Sequence, residues 1–95
     1  PPQSAKFDCV IGIINTAVSS LDLGVLANQK VNNILQVELS PNETVILLNG
    51  NGEILGSIIH PNTTDLIECI KLGNTYEALI TSINTPVCRV KIEKI

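Results

Sequence analysis

Hydrophobic and polar positions along this chain follow a two-residue rhythm almost throughout. The clearest stretch is residues 44–59, Thr-Val-Ile-Leu-Leu-Asn-Gly-Asn-Gly-Glu-Ile-Leu-Gly-Ser-Ile-Ile, in which two aliphatic runs flank Asn49-Gly50-Asn51-Gly52. Asn-Gly steps tolerate the positive φ that tight hairpin turns require. The pattern therefore predicts a β-hairpin with strands near 44–48 and 53–59 and with Gly50 in the left-handed position. Upstream, Leu35, Val37 and Leu39 alternate with Gln36 and Glu38, which predicts a half-buried strand. Residues 7–18 are nearly continuous aliphatic sequence and read as one long strand, bent where Gly12 interrupts it. Residues 19–33 mix Leu21, Leu23 and Val25 with Asn and Gln and fit either an extended piece or a loop. The chain ends in two more strands, 76–83 and 87–95, joined by the turn Asn84-Thr85-Pro86.

One segment breaks the rhythm. His60-Pro61-Asn62-Thr63-Thr64 stops the sheet, because Pro61 lacks the N–H a ladder needs. Asn62 or Thr64 can cap a helix through its side-chain oxygen. Asp65 and Glu68 suit the positive end of the helix dipole, Lys71 the negative end, and Gly73 is a natural terminator. Leu66, Ile67 and Ile70 fall on one face at helical spacing. The expected order is thus β-β-β-β-α-β-β in a single domain spanning residues 1–95. One short helix amid five or six antiparallel strands predicts a mainly β fold, a small OB-like barrel with the helix sealing one mouth. An immunoglobulin-like sandwich would have little reason for the helix and would normally carry a Cys–Trp–Cys core.

Composition adjusts this picture in three places. Phe7 and Tyr76 are the sole aromatic residues, so the core must be aliphatic. A net charge of −3 argues against tight, charge-driven binding to nucleic acid or to an anionic membrane. The three cysteines, Cys9, Cys69 and Cys88, lack metal-ligand or redox-pair spacing and sit among aliphatic neighbours. They read as small apolar fillers, which favours a reducing intracellular setting, cytoplasm or nucleus. Two Asn-x-Thr sequons, Asn42-Glu43-Thr44 and Asn62-Thr63-Thr64, would carry glycans if the chain were secreted. No apolar run reaches membrane-spanning length, no signal peptide is visible, and Pro1-Pro2-Gln3-Ser4 reads as a loose leader.

The stretch Asn49-Gly50-Asn51-Gly52-Glu53-Ile54-Leu55-Gly56, the helix, and Leu72-Gly73-Asn74-Thr75-Tyr76-Glu77-Ala78-Leu79-Ile80 together resemble the HIRAN domain. Val10-Ile11-Gly12-Ile13 is similar to that family's first strand, and Leu35-x-Val37-x-Leu39 to the strand before its signature. The resemblance covers most of the chain and rests on aliphatic and glycine positions. It implies an OB-like barrel serving nucleic-acid metabolism and DNA repair by holding a single-stranded 3′ end. The chain departs from the family where the contacts are made. Pro41-Asn42-Glu43-Thr44-Val45 replaces the Asn-Pro-Tyr-Asp-like signature, and Ile14, Asn15 and Thr16 replace the aromatic pair after the first-strand glycine. The small OB-fold subunits of replication-protein-A-type complexes are similar over the same hairpin, helix and strand, and imply an assembly role.

Candidate chemistry is sparse. His60 has no nucleophile visibly paired with it, and Asp65 with Glu68 is best explained by the helix dipole. Asn49-Gly50-Asn51-Gly52 lacks the Gly-Lys-Ser/Thr ending of a phosphate loop. Arg89, Lys91 and Lys94 form the one basic cluster and suit a solvated strand. An enzyme, a metal site and a cofactor are therefore not expected. The expected activity is non-enzymatic binding, either of single-stranded nucleic acid or of a protein partner, with a secreted glycosylated domain as a further alternative. The resemblance places any retained contact on the polar rim formed by Asn15, Asn42, Ser57 and His60.

Overall fold

The computed structural model describes residues 7–95, so the Pro1–Ser4 leader lies outside the described residues. Six strands, β1 (Ile14–Ala17), β2 (Ile34–Leu39), β3 (Val45–Leu48), β4 (Ile54–Ser57), β5 (Tyr76–Asn84) and β6 (Val87–Lys94), form one antiparallel sheet in the order β1-β6-β5-β2-β3-β4. Two helices accompany it, α1 (Leu23–Leu26) and α2 (Thr63–Lys71). The sheet curls into a small OB-like half-barrel. Its edges meet just after β1, where Ser19 and Ser57 exchange backbone hydrogen bonds of 2.8 Å in each direction. Gly56 makes that approach possible, because a Cβ there would collide with the Val18 side chain and stand 2.6 Å from the Ser19 carbonyl oxygen.

Alternation sorts each strand into an inner and an outer row. Ile14, Leu35, Leu47, Leu55, Ile80, Val90 and Ile92 point inward and are fully buried. Leu66 and Cys69 of α2 close the mouth over them. Burial thus selects positions 66 and 69, while Ile67 and Ile70 pack on the flanks of the core and stay partly exposed. The helix begins at Asn62, whose side chain makes no cap hydrogen bond; Thr63 instead turns its hydroxyl to accept the His60 N–H at 2.8 Å.

Three further expectations are corrected. The first strand is four residues long, and residues 7–13 form a loop. Asp8 turns that loop by accepting the N–H groups of Val10 and Ile11 at 2.8 and 3.0 Å. Tyr76 anchors it through a 2.6 Å bond from its hydroxyl to the Cys9 carbonyl. The ambiguous segment contains α1, nucleated by Asp22, whose carboxylate accepts the Val25 N–H at 3.0 Å. In the β3–β4 hairpin the positive φ falls on Gly52 (+79°) rather than Gly50. Asn49 decides this: its Oδ1 accepts the N–H groups of Asn51 and Glu53, both at 2.9 Å, fixing a turn that ends in one left-handed residue.

The cysteines differ most from expectation. Cys9 and Cys69 form a disulfide that ties the 7–13 loop to α2, and only Cys88 is a buried free thiol. Sixty residues separate the pair, so no spacing pattern advertises it. Burial raises the Cys88 pKa above its ordinary value, which leaves the thiol protonated and inert.

Candidate interaction surfaces

The structure brings together part of the expected polar rim. A groove of about 290 Å³ runs between the turn that joins β2 to β3 and the segment leaving β4. Val45, Ile58 and Ile59 supply its apolar walls, and Ser57, His60 and Glu43 its polar edge. Ser57 and His60 therefore share one site, and Asn42 is exposed in the adjoining turn, its side chain hydrogen-bonded to the Ser40 hydroxyl. Asn15 belongs elsewhere. It is exposed on β1, opposite Lys91 of β6.

The groove's polar groups are committed to local structure. The Ser57 backbone is paired with Ser19 across the seam, and its hydroxyl reaches the Ser19 carbonyl at 3.4 Å. His60 Nδ1 accepts the Asn62 N–H at 3.1 Å. Nothing in this set pairs a nucleophile with a base. Among the described residues no three His, Cys, Asp or Glu side chains gather as a metal site would require. No helix there is long and apolar enough to cross a membrane.

The outer face of the sheet is a second surface, and sequence reasoning did not single it out. Register assembles it from five strands. Ile34 lies opposite Leu79, Leu48 lies between Gln36 and Ile54, and Glu38 lies opposite Ile46. Ile34 is 58% and Ile54 50% exposed, while Ile46, Leu48 and Leu79 are half-buried. Beside these aliphatic side chains stand Glu38, Glu77 and Glu93, with Glu77 directly opposite Glu93. Arg89 and Lys91 occupy the β6 end of the same face, opposite Ala17 and Asn15 of β1, and Lys91 also adjoins Leu79 of β5. The alternation of Gln36 and Glu38 announced an outward row, but which side chains become neighbours depends on pairings between strands tens of residues apart.

OB folds bind oligonucleotides on the face of their second and third strands, the hairpin that precedes the barrel helix; here that hairpin is β3 and β4, with β2 beside it. In this chain that surface offers aliphatic and acidic groups, with no aromatic side chain for base stacking. No family model, no curated protein and no solved structure matches the chain.

Proposed function

We propose that this domain is a non-enzymatic protein-interaction module built on an OB-like half-barrel. The observation that carries the reading is the chemistry of the outer face of β2, β3 and β4, Ile34, Gln36, Glu38, Ile46, Leu48 and Ile54. Carboxylates repel the phosphates such a face would have to hold, and aliphatic side chains offer bases no stacking platform. Exposed aliphatic groups on a rigid sheet are, by contrast, the raw material of protein contacts.

A second reading, weakened single-stranded DNA-end binding of the kind the HIRAN resemblance implies, is favoured by one observation: Ser57, His60 and the Asn42 turn border the same groove. Fluorescence polarisation with a short single-stranded oligonucleotide, at 50 and 200 mM salt, separates the two. Protein interaction predicts no salt-sensitive binding up to roughly 100 μM, the weak end of non-specific DNA affinity. Micromolar binding that weakens with salt would favour the DNA reading.

The Cys9–Cys69 bond supports an oxidising setting over the reducing one expected from the sequence. In that setting Asn42, exposed beside the groove, is available for glycosylation. A mass increment at Asn42 after expression in a secretory host supports this placement, and an unmodified, reduced product opposes it.

A further inference from the structure

We propose that the outer face of β5, β2, β3 and β4 docks an amphipathic, lysine- or arginine-bearing helix of a protein partner. The proposal rests on the protein-interaction reading and specifies its ligand. Three observations converge on it. The first is the continuity of the aliphatic surface. Leu79 and Ile34 face each other across β5 and β2, and Leu48, Ile46 and Ile54 cluster across β3 and β4. Gln36 bridges the two groups, being opposite both Glu77 and Leu48.

The second is an unfavourable arrangement that the domain compensates only on the Glu93 side. Glu77 and Glu93 are directly opposite on neighbouring antiparallel strands, where like charges destabilise. Lys91 lies 3.8 Å from Glu93, and no ion pair to Glu77 or Glu38 occurs among the described residues. A cation supplied from outside would relieve this repulsion. The carboxylates lie beside the aliphatic stripe rather than around it, so the matching ligand carries its basic side chains along one flank.

The third is size. The stripe from Leu79 to Ile54 crosses four strands, or three spacings of about 4.8 Å, roughly 14 Å in all. A helix rising about 1.5 Å per residue covers that with roughly ten residues, three turns. Its anchors would recur at i, i+3, i+4 and i+7, the usual pattern of a helix laid on an apolar surface.

The test uses a blocked 15-residue Leu/Lys amphipathic helix as probe and its Leu/Glu counterpart as control. Chemical-shift titration should map the Leu/Lys peptide to Ile34, Leu48, Ile54, Glu77 and Leu79, with affinity falling as salt rises. Glu77→Gln should weaken binding at least fivefold. Glu77→Lys should abolish binding while raising Tm, because the introduced ammonium group would then face Glu93; this keeps loss of binding distinct from loss of fold. Ile34→Ser with Ile54→Ser should also remove binding in a domain that still folds. Equal binding of the Leu/Glu peptide, shifts centred on Asp8, Asp65 and Glu68, or no binding of either peptide would overturn the proposal. So would concentration-dependent dimerisation in sedimentation velocity that Ile34→Ser abolishes, since the occupant would then be a second copy. These failures leave the oligonucleotide result untouched, so the broader protein-interaction reading is judged separately.

Discussion

Gly52 sets the geometry of the β3–β4 turn at a φ of +79°, where any Cβ crowds the backbone. Gly52→Val is expected to cost about 1–2 kcal/mol in urea denaturation. Gly50 lies outside the left-handed region and has open space around its missing Cβ, so Gly50→Ala should stay within about 0.5 kcal/mol of the parent. The sequence marked a glycine turn correctly and chose the wrong glycine. The choice depends on the Asn49 carboxamide, which is buried and bonded to Asn51 and Glu53, and a dipeptide rule does not see that bond. Asp8 gives a residue-level pH response. Hydrogen bonds first from Ile11 and then from Val10 hold its carboxyl below the usual Asp value. Its contribution to loop order is therefore complete above the ordinary carboxylate range and is lost as pH falls through the lowered folded value. The Val10 and Ile11 amide resonances should move together over that acidic window and stay constant above about pH 5. Movement of both near neutrality would show that another group orders the loop.

Element-scale energetics centre on α2. Leu66 and Cys69 carry its burial, so Leu66→Ala should cost about 2–5 kcal/mol, the range for emptying a packed aliphatic site. Ile67 remains partly exposed, and Ile67→Ala should cost about 1 kcal/mol. Equal losses would mean the helix is rotated. The sequence predicted this helix, capped by either Asn62 or Thr64, with Asp65 and Lys71 at their favourable ends, because local propensity and dipole chemistry are written in adjacent residues. It placed Leu66 on the inward face but expected Ile67 and Ile70 beside it where Cys69 is buried, since the Cys9 bond and the 3.2 Å contact of the Phe7 N–H with Asp65 orient the helix from 60 and 58 residues away. Cross-linking a 60-residue separation removes about 4 kcal/mol of chain entropy from the unfolded state in the loop-closure model. Cys9→Ser with Cys69→Ser should therefore lower stability by about 2–4 kcal/mol without changing the strand order. An unchanged unfolding midpoint would show that the bond contributes nothing in solution.

At the scale of the whole molecule, the sequence made the half-barrel legible through its alternating strands and single short helix, and left its closure illegible. Closure rests on Gly56, which looked like an ordinary strand glycine until Val18 and Ser19 were placed against it. The seam also predicts where the molecule opens first. β5 and β6 pair along eight registered positions, and β2 is held on both sides by β3 and β5. Across the seam, by contrast, the backbone hydrogen bonds among the described residues are those of the Ser19–Ser57 pair and the Asp22 N–H to the Leu55 carbonyl, joined by a 3.4 Å bond from the Ser57 hydroxyl to the Ser19 carbonyl. Local opening free energy follows the number of buried contacts and hydrogen bonds that must break together. In native-state hydrogen exchange the amides of Ser19, Asp22 and Ser57 should therefore exchange through a low-energy opening, while Ala78, Ile80 and Val90 should exchange only through global unfolding. Gly56→Ala should widen that gap, because the added methyl pushes the two edges apart while β5 and β6 stay paired; its overall cost should be about 1–3 kcal/mol, as for an overpacked core. Seam and central amides exchanging with one common free energy, in parent and variant alike, would show that the curled sheet opens as a single cooperative unit and that the seam is no weaker than its centre.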